Sequence, residues 1–259
     1  MHPGLEGRTV VVTGAARGQG LALARLLRRA GAEVIASDVA GAVPEGFAGT
    51  GIAYRRLDVS DEGAWRRLAD ELAEALDGRS LHALVNNAGI THRSRSRIGE
   101  VRRADWDRVL AVNVTGAMLG MQALAPLMGS GSSIVNVGSS AALTGHYPVA
   151  YTTSKWALRG LTHSAATQYG ARGIRVNIVH PGFIETEMTA SAPAAMRQAQ
   201  LELTPLERTG LATEVAETIA FLLSDAASYI SGAELTVDGA STSSAGAKII
   251  ADRIAAQPS

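Results

Sequence analysis

Short apolar, β-branched runs alternate with segments of helical period along the whole chain, and this alternation leaves few folds open. Strands are expected at Arg8–Thr13, Glu33–Asp38, Ile52–Leu57, Leu81–Val85, Ser133–Val137, Ile174–Val179 and Glu234–Val237. Helices are expected between them at Leu21–Arg29, Asp61–Leu76, Asp105–Met128, Tyr151–Tyr169 and Thr213–Leu223. Strands that are apolar along most of their length and separated by helices form a parallel sheet covered on both faces. No Pro/Ser-rich linker and no internal repeat divides the 259 residues. The expected fold is therefore one α/β domain over residues 1–259, a doubly wound, seven-stranded parallel sheet. Ligands bind such sheets outside the carboxyl ends of the strands. Chemistry is thus expected just after Thr13, Asp38, Leu57, Val85, Val137 and Val179.

Composition narrows the function classes. Lys+Arg and Asp+Glu are each 24, so the chain carries no net charge to attract nucleic acid or an anionic membrane. It has no cysteine, which excludes disulfides, thiol catalysis and Cys-ligated zinc. No clustered histidine set is present, so no metal is expected. Val109–Ser154 lacks any charged residue, but Asn113, Thr115, Gln122, Pro126 and the Gly/Ser run at 129–133 interrupt it. It reads as a buried helix and strand, not a membrane span. The first residues lack the basic and apolar regions of a signal peptide, and the expected setting is the cytoplasm.

Gly14, Arg17, Gly18, Gln19 and Gly20 lie in a G-x-x-x-G-x-G turn that follows a strand and opens a helix. Glycines let such a turn approach a pyrophosphate, and the helix N-terminus supplies N–H donors and a positive dipole end. Asp38 ends the second strand, where a carboxylate accepts both ribose hydroxyls and repels a 2′-phosphate. Arg17 points the other way, since it could pair a 2′-phosphate. The carboxylate occupies the direct position, so NAD is expected over NADP. Asp58 and Val59, at the end of the third strand, are candidates for the adenine. Tyr151 and Lys155 are four apart on one helix face. A tyrosine hydroxyl ionises near pH 10. A neighbouring ammonium and an oxidised nicotinamide ring would lower that value and make a general base. Ser139 and Ser140 lie shortly upstream, and Asn113 is a polar residue within an apolar helix.

Taken together, Thr13-Gly14-x-x-x-Gly18-x-Gly20, Asp58, Asn86-Asn87-Ala88-Gly89, Asn113, Ser140, Tyr151-x-x-x-Lys155, Pro181-Gly182 and Thr186 resemble the short-chain dehydrogenase/reductase family. The resemblance spans residues 8 to 239. It implies a Rossmann-type sheet, a nicotinamide cofactor, frequent homotetramers and the catalytic set Asn113, Ser140, Tyr151 and Lys155. It also implies that Asn87, Ala88 and Gly89 lie along the cofactor. Pro181, Gly182, Ile184 and Thr186 would meet its nicotinamide half, and Lys155 its ribose. Asn113 would hold a water that relays protons from Lys155. One departure is present: the stretch from Ser140 to Tyr151 is two residues shorter than is usual in the family. Ser140 is favoured by aligning the preceding strand, with Ser139 as the alternative.

Three segments are candidates for the substrate. The loop Ile90–Arg97 carries His92, Arg93, Arg95 and Arg97 and reads either as a solvated loop or as an anion clamp. His146 and Tyr147 are expected to line the pocket. Residues 187–208, with Met188, Met196, Leu201 and Leu203, read as a lid with an apolar inner face. The extension 240–259 ends in a short helical pattern over Lys248–Ala256. His180 is read as structural. The function expected is NAD-dependent interconversion of a secondary alcohol and a ketone, on an apolar or cyclic small molecule. The alternatives are an NADP-dependent 3-ketoacyl-type reductase and a non-catalytic dinucleotide-binding regulator.

Overall fold

A computed structural model describes residues 2–91 and 97–257. The chain runs β1 (Thr9–Thr13), α1 (Gly18–Arg29), β2 (Glu33–Asp38), β3 (Ala53–Arg56), α2 (Glu62–Leu76), β4 (Leu81–Asn86), α3 (Arg103–Leu110), α4 (Gly116–Leu124) and β5 (Met128–Val137). It continues through α5 (Val149–Tyr169), β6 (Arg175–Pro181), β7 (Ile184–Glu185), α6 (Glu187–Ala190), α7 (Ala194–Leu203), β8 (Gly210–Leu211), α8 (Ala212–Leu223), β9 (Glu234–Val237), α9 (Ser241–Ser244) and α10 (Ala247–Ala255). Seven strands form one parallel sheet in the order β3-β2-β1-β4-β5-β6-β9. The direction of winding reverses between β1 and β4, and this switch point is where a ligand crevice opens.

Both faces of the sheet are covered. On one, Leu23 and Leu27 of α1 pack with Ile219 and Leu223 of α8 over Val10 and Val12. On the other, Trp65, Leu68, Leu72 and Leu76 of α2 join Met121 and Leu124 of α4 over Val11 and Leu84. Val10, Val11 and Val12 thus alternate between two cores, which is why β1 is apolar along its length. Helix α2 starts where the Asp61 carboxylate accepts from Gly63 N and Ala64 N, a cap worth about 1 kcal/mol. Trp65 is buried and donates from its indole nitrogen to Val59 O at 2.9 Å. That bond fixes the loop carrying Asp58 and Val59 to the core.

The helix expected over Asp105–Met128 is divided. A π turn at Ala111–Thr115 separates α3 from α4, and a 3-10 turn at Ala125–Leu127 follows. Pro126 has no N–H to continue the α pattern, so the chain turns and β5 begins at Met128, earlier than expected. Leu81 pairs with Met128 but Ala83 with Ser133, so the Gly/Ser run at 129–132 forms an irregularity in the ladder. The run Arg103–Leu127 is long and apolar enough to cross a membrane, but it packs on α2, β4 and α5 with half of its apolar window buried. The two-residue strands β7 and β8 pair with each other and brace the 187–208 segment. Helix α10 packs on α7.

Candidate active site

One cleft crosses the carboxyl ends of the strands and collects residues from the connections after β1 to β6. At its first end, the turn after β1 lies tight against the end of β4. Gly14 has φ +64°, and a Cβ there would stand 2.6 Å from Ala88 Cα. The Asn87 side chain donates to Thr13 O and Gly14 O at 2.9 and 3.0 Å, while Thr13 Oγ1 accepts from the Asn87 and Ala88 N–H groups. Arg17 at the N-cap of α1 makes no side-chain cap, and the first turn carries no acidic residue. The free N–H groups there are an anion site in waiting. Gln19 Oε1 is buried without a hydrogen-bond partner, and Gln19 lines the same cleft. An uncapped helix start behind a glycine-opened turn fits a pyrophosphate, and the orphaned Gln19 oxygen fits an N–H or O–H donor of the same ligand.

Gly18, Asp38, Asp58 and Val59 line one end of the cleft, and Gly89, Pro181, Gly182, Ile184 and Thr186 the other. Asp38 accepts from Ala16 N at 3.0 Å and Ala40 N at 3.3 Å, so its carboxylate is held at the rim. Asp58 accepts from the Ser60 hydroxyl and N–H, which hold its pKa below the usual carboxylate range. Gly20 does not line the cleft. It lies behind the turn, where a Cβ would meet Gly14 O and Asn87 Nδ2, so its place there is for packing. Ile90, the first residue of the candidate substrate loop, lines the cleft, and so do Val39, Arg108 and Val112, which were not singled out in the sequence. Val39 and Val112 directly neighbour Asp38 and Asn113, which is the signal that could have found them.

Tyr151 and Lys155 of α5 enter the cleft beside the end of β5. Ser139 is the serine that lines the cleft with Tyr151, and its hydroxyl is near enough to lower the phenol's pKa. This corrects the expectation of Ser140. Ser139 has extended backbone (φ −173°, ψ 156°) and faces the cleft, whereas Ser140 begins a 3-10 turn, lies outside the lining, and gives its carbonyl to Leu143 N and Thr144. Burial pushes the Tyr151 phenol up, and the Ser139 hydroxyl draws it partly back. Lys155 is buried, donates to Val137 O at 2.7 Å, and has its pKa lowered to about 8 by desolvation. Its Nζ lies 5.6 Å from the Tyr151 ring centre. The expected drop in the tyrosine pKa is therefore absent from the protein by itself.

Asn113 sits in the π turn, buried. Its amide donates to Ile90 O and Ser154 Oγ and accepts from Ile90 N. Both N–H donors are taken, so the side chain anchors the loop after β4 to the π turn. His146 and Tyr147 lie outside the cleft lining, in a loop turned to solvent. Tyr147 is 73% exposed with the Arg97 guanidinium 5.6 Å over its ring. Met188 does line the cleft, on α6. His92, Arg93 and Arg95 lie outside the described residues. Among the described residues no cluster of three metal-ligating side chains forms.

A doubly wound sheet with a phosphate-ready turn at its switch point, and a Tyr–Ser–Lys group at the far end of the same cleft, defines a dinucleotide-dependent oxidoreductase class. A family model described as Enoyl-(Acyl carrier protein) reductase matches residues 14–242. Cis-4-hydroxycyclohexanecarboxylate dehydrogenase of Sinomonas cyclohexanicum is 42% identical over 91% of this chain and 96% of its own. A 3-alpha-(or 20-beta)-hydroxysteroid dehydrogenase of Mycobacterium bovis is 37% identical over 91% of this chain and 89% of its own. Among solved structures, a short chain dehydrogenase from Burkholderia cenocepacia in complex with NADP superposes with TM-score 0.84 at 35% identity, covering 92% of this chain and 98% of that one. The chain belongs to the short-chain dehydrogenase/reductase family.

Proposed function

We propose that the chain is an NAD-dependent dehydrogenase that interconverts a secondary alcohol and its ketone on an alicyclic ring. The observation that carries this reading is that Ser139, Tyr151 and Lys155 line one end of the same cleft as the glycine turn. A nicotinamide held in this cleft by Gly14, Lys155 and Thr186 would supply the acceptor or donor of hydride. The rest falls to side chains. Ser139 Oγ donates to the substrate oxygen and orients it. Tyr151 Oη takes the hydroxyl proton during oxidation and gives it back during reduction. Because burial favours the neutral phenol, the group is poised as an acid for ketone reduction and needs alkaline conditions for oxidation. Lys155 Nζ, held by Val137 O, is placed to reach a ribose hydroxyl and to supply positive charge near the phenolate.

The ring preference rests on two relatives named for ring alcohols and on Met188, which gives the cleft an apolar wall. Asp38 supports NAD. The alternative, NADP, is favoured by the structural neighbour's cofactor and by Arg17 on the cleft wall. A panel of cyclohexanol, cis-4-hydroxycyclohexanecarboxylate and a 3α-hydroxysteroid with each cofactor tests the reading. The expected result is formation of reduced nicotinamide with at least one ring alcohol, and a higher kcat/KM with NAD than with NADP. No turnover of any of them would overturn the ring-alcohol reading, and preference for NADP would overturn the cofactor assignment.

A further inference from the structure

We propose that Glu234 is a positioning residue that, through His180 and Arg159, holds the Ser139 hydroxyl in register with Tyr151. The inference rests on the catalytic role proposed for Ser139. Glu234 opens β9, beside the end of β6, and its side chain is 19% exposed. Its carboxylate accepts from Arg159 Nε at 2.7 Å and Nη2 at 3.1 Å, from His163 Nε2 at 2.8 Å and from His180 Nε2 at 3.0 Å. One carboxylate thus gathers side chains from α5 and β6.

Each of two of these partners grips a different end of the segment that carries Ser139. His180 is fully buried, and its Nδ1 lies 3.3 Å from Ser139 N and 3.1 Å from Ser139 O. With Nε2–H donated to Glu234, a neutral ring accepts the Ser139 N–H at Nδ1 and a charged ring donates Nδ1–H to Ser139 O, so in either state Nδ1 holds the Ser139 main chain. Burial keeps the ring neutral, although Glu234 pulls the other way. The imidazole fits only because residue 138 is glycine, since a Cβ there would stand 2.5 Å from Nδ1. On the far side of the turn, Arg159 Nη1 donates to Ala142 O at 3.0 Å. Arg159 also lies on α5, the helix that presents Tyr151. Glu234 therefore ties the two ends of the serine turn to each other and to the tyrosine helix. The same carboxylate is held at a pKa of about 2: burial opposes ionisation, but Arg159, His163 and His180 outweigh it. It stays ionised as the anchor at any working pH.

A displacement of about 1 Å in such a group can cost up to about a hundredfold in rate. The test compares Glu234→Gln with wild type, alone and with Ser139→Ala, using cyclohexanol and NAD as probes. The expected result is a fall in kcat of about tenfold or more with the dissociation constant for NAD changed by less than about twofold. In the Ser139→Ala background the same change should cost less than about twofold, because its effect passes through the serine. Hydrogen exchange followed by mass spectrometry supplies a readout that needs no turnover. Amides at 138–143 should exchange about tenfold faster in Glu234→Gln, with β1 and α2 unchanged. Unchanged exchange at 138–143 would overturn the proposal whether or not cyclohexanol is a substrate. Losses that simply multiply in the double variant would also overturn it. A wild type inactive on ring alcohols with the exchange change intact would count against the proposed substrate alone.

Discussion

Lys155 is buried with a carbonyl, not a carboxylate, on its ammonium. Desolvation lowers its pKa from 10.5 to about 8, which corresponds to a cost of about 3 kcal/mol when it is charged. The folded pKa lies below the unfolded one, so the native state binds fewer protons between them. Stability contributed by this group therefore rises with pH from about 8 to 10.5, and the full penalty applies below 8. Lys155→Met should abolish turnover yet raise the melting temperature of the cofactor-free protein at pH 7 by several degrees, after about 1 kcal/mol is lost with the hydrogen bond. The gain should shrink toward pH 10, and melting curves at the two pH values check both signs. No gain at pH 7 would contradict the assignment. At the other end of the cleft, Asp38→Ser removes the carboxylate proposed to select NAD. It should shift the kcat/KM ratio toward NADP by about tenfold or more, as read from paired kinetics with the two cofactors.

Between β5 and α5, one residue of register separates a serine in the cleft from one outside it. Ser139→Ala should lower kcat by about a hundredfold, the low end for a positioned catalytic group, whereas Ser140→Ala should stay within about twofold. Steady-state kinetics on the two variants decide between them. This register was not legible in the sequence. Gly138 N still pairs with Val179 O, so the extended backbone runs past the apolar part of β5, and nothing in Gly138-Ser139-Ser140-Ala141 marks where it tightens into a turn. The π turn escaped for a similar reason. Apolar periodicity continues through residues 109–124, and only the oddity of Asn113 pointed to its two bonds with Ile90. His146 and Tyr147 were misplaced because loop length limits reach without setting direction. By contrast, the glycine turn, Asp38, Tyr151 and Lys155 were readable. Each sits at a strand end or on one helix face, where local pattern and tertiary position coincide.

The whole sheet was legible because each parallel strand is a continuous apolar run and the crossovers between strands have one favoured hand. The two-residue strands β7 and β8 fall below what periodicity can register. Met118 of α4 and Trp156 of α5 are 37% and 47% exposed, and we propose that these helices pair with those of symmetry mates in a dihedral homotetramer. Light scattering should report four chains per particle at micromolar concentration, and a monomer would contradict it. Tyr151 is the group proposed to move the substrate proton. The most direct test of that role is the rate of reduced-nicotinamide formation from NAD and a ring alcohol by wild type and Tyr151→Phe, alongside NAD binding by titration. The predicted result is unchanged NAD affinity with kcat at least about a hundredfold lower in the variant, and a wild-type oxidation rate that climbs with pH. A Tyr151→Phe protein that oxidises the alcohol at near wild-type rate would contradict the mechanism.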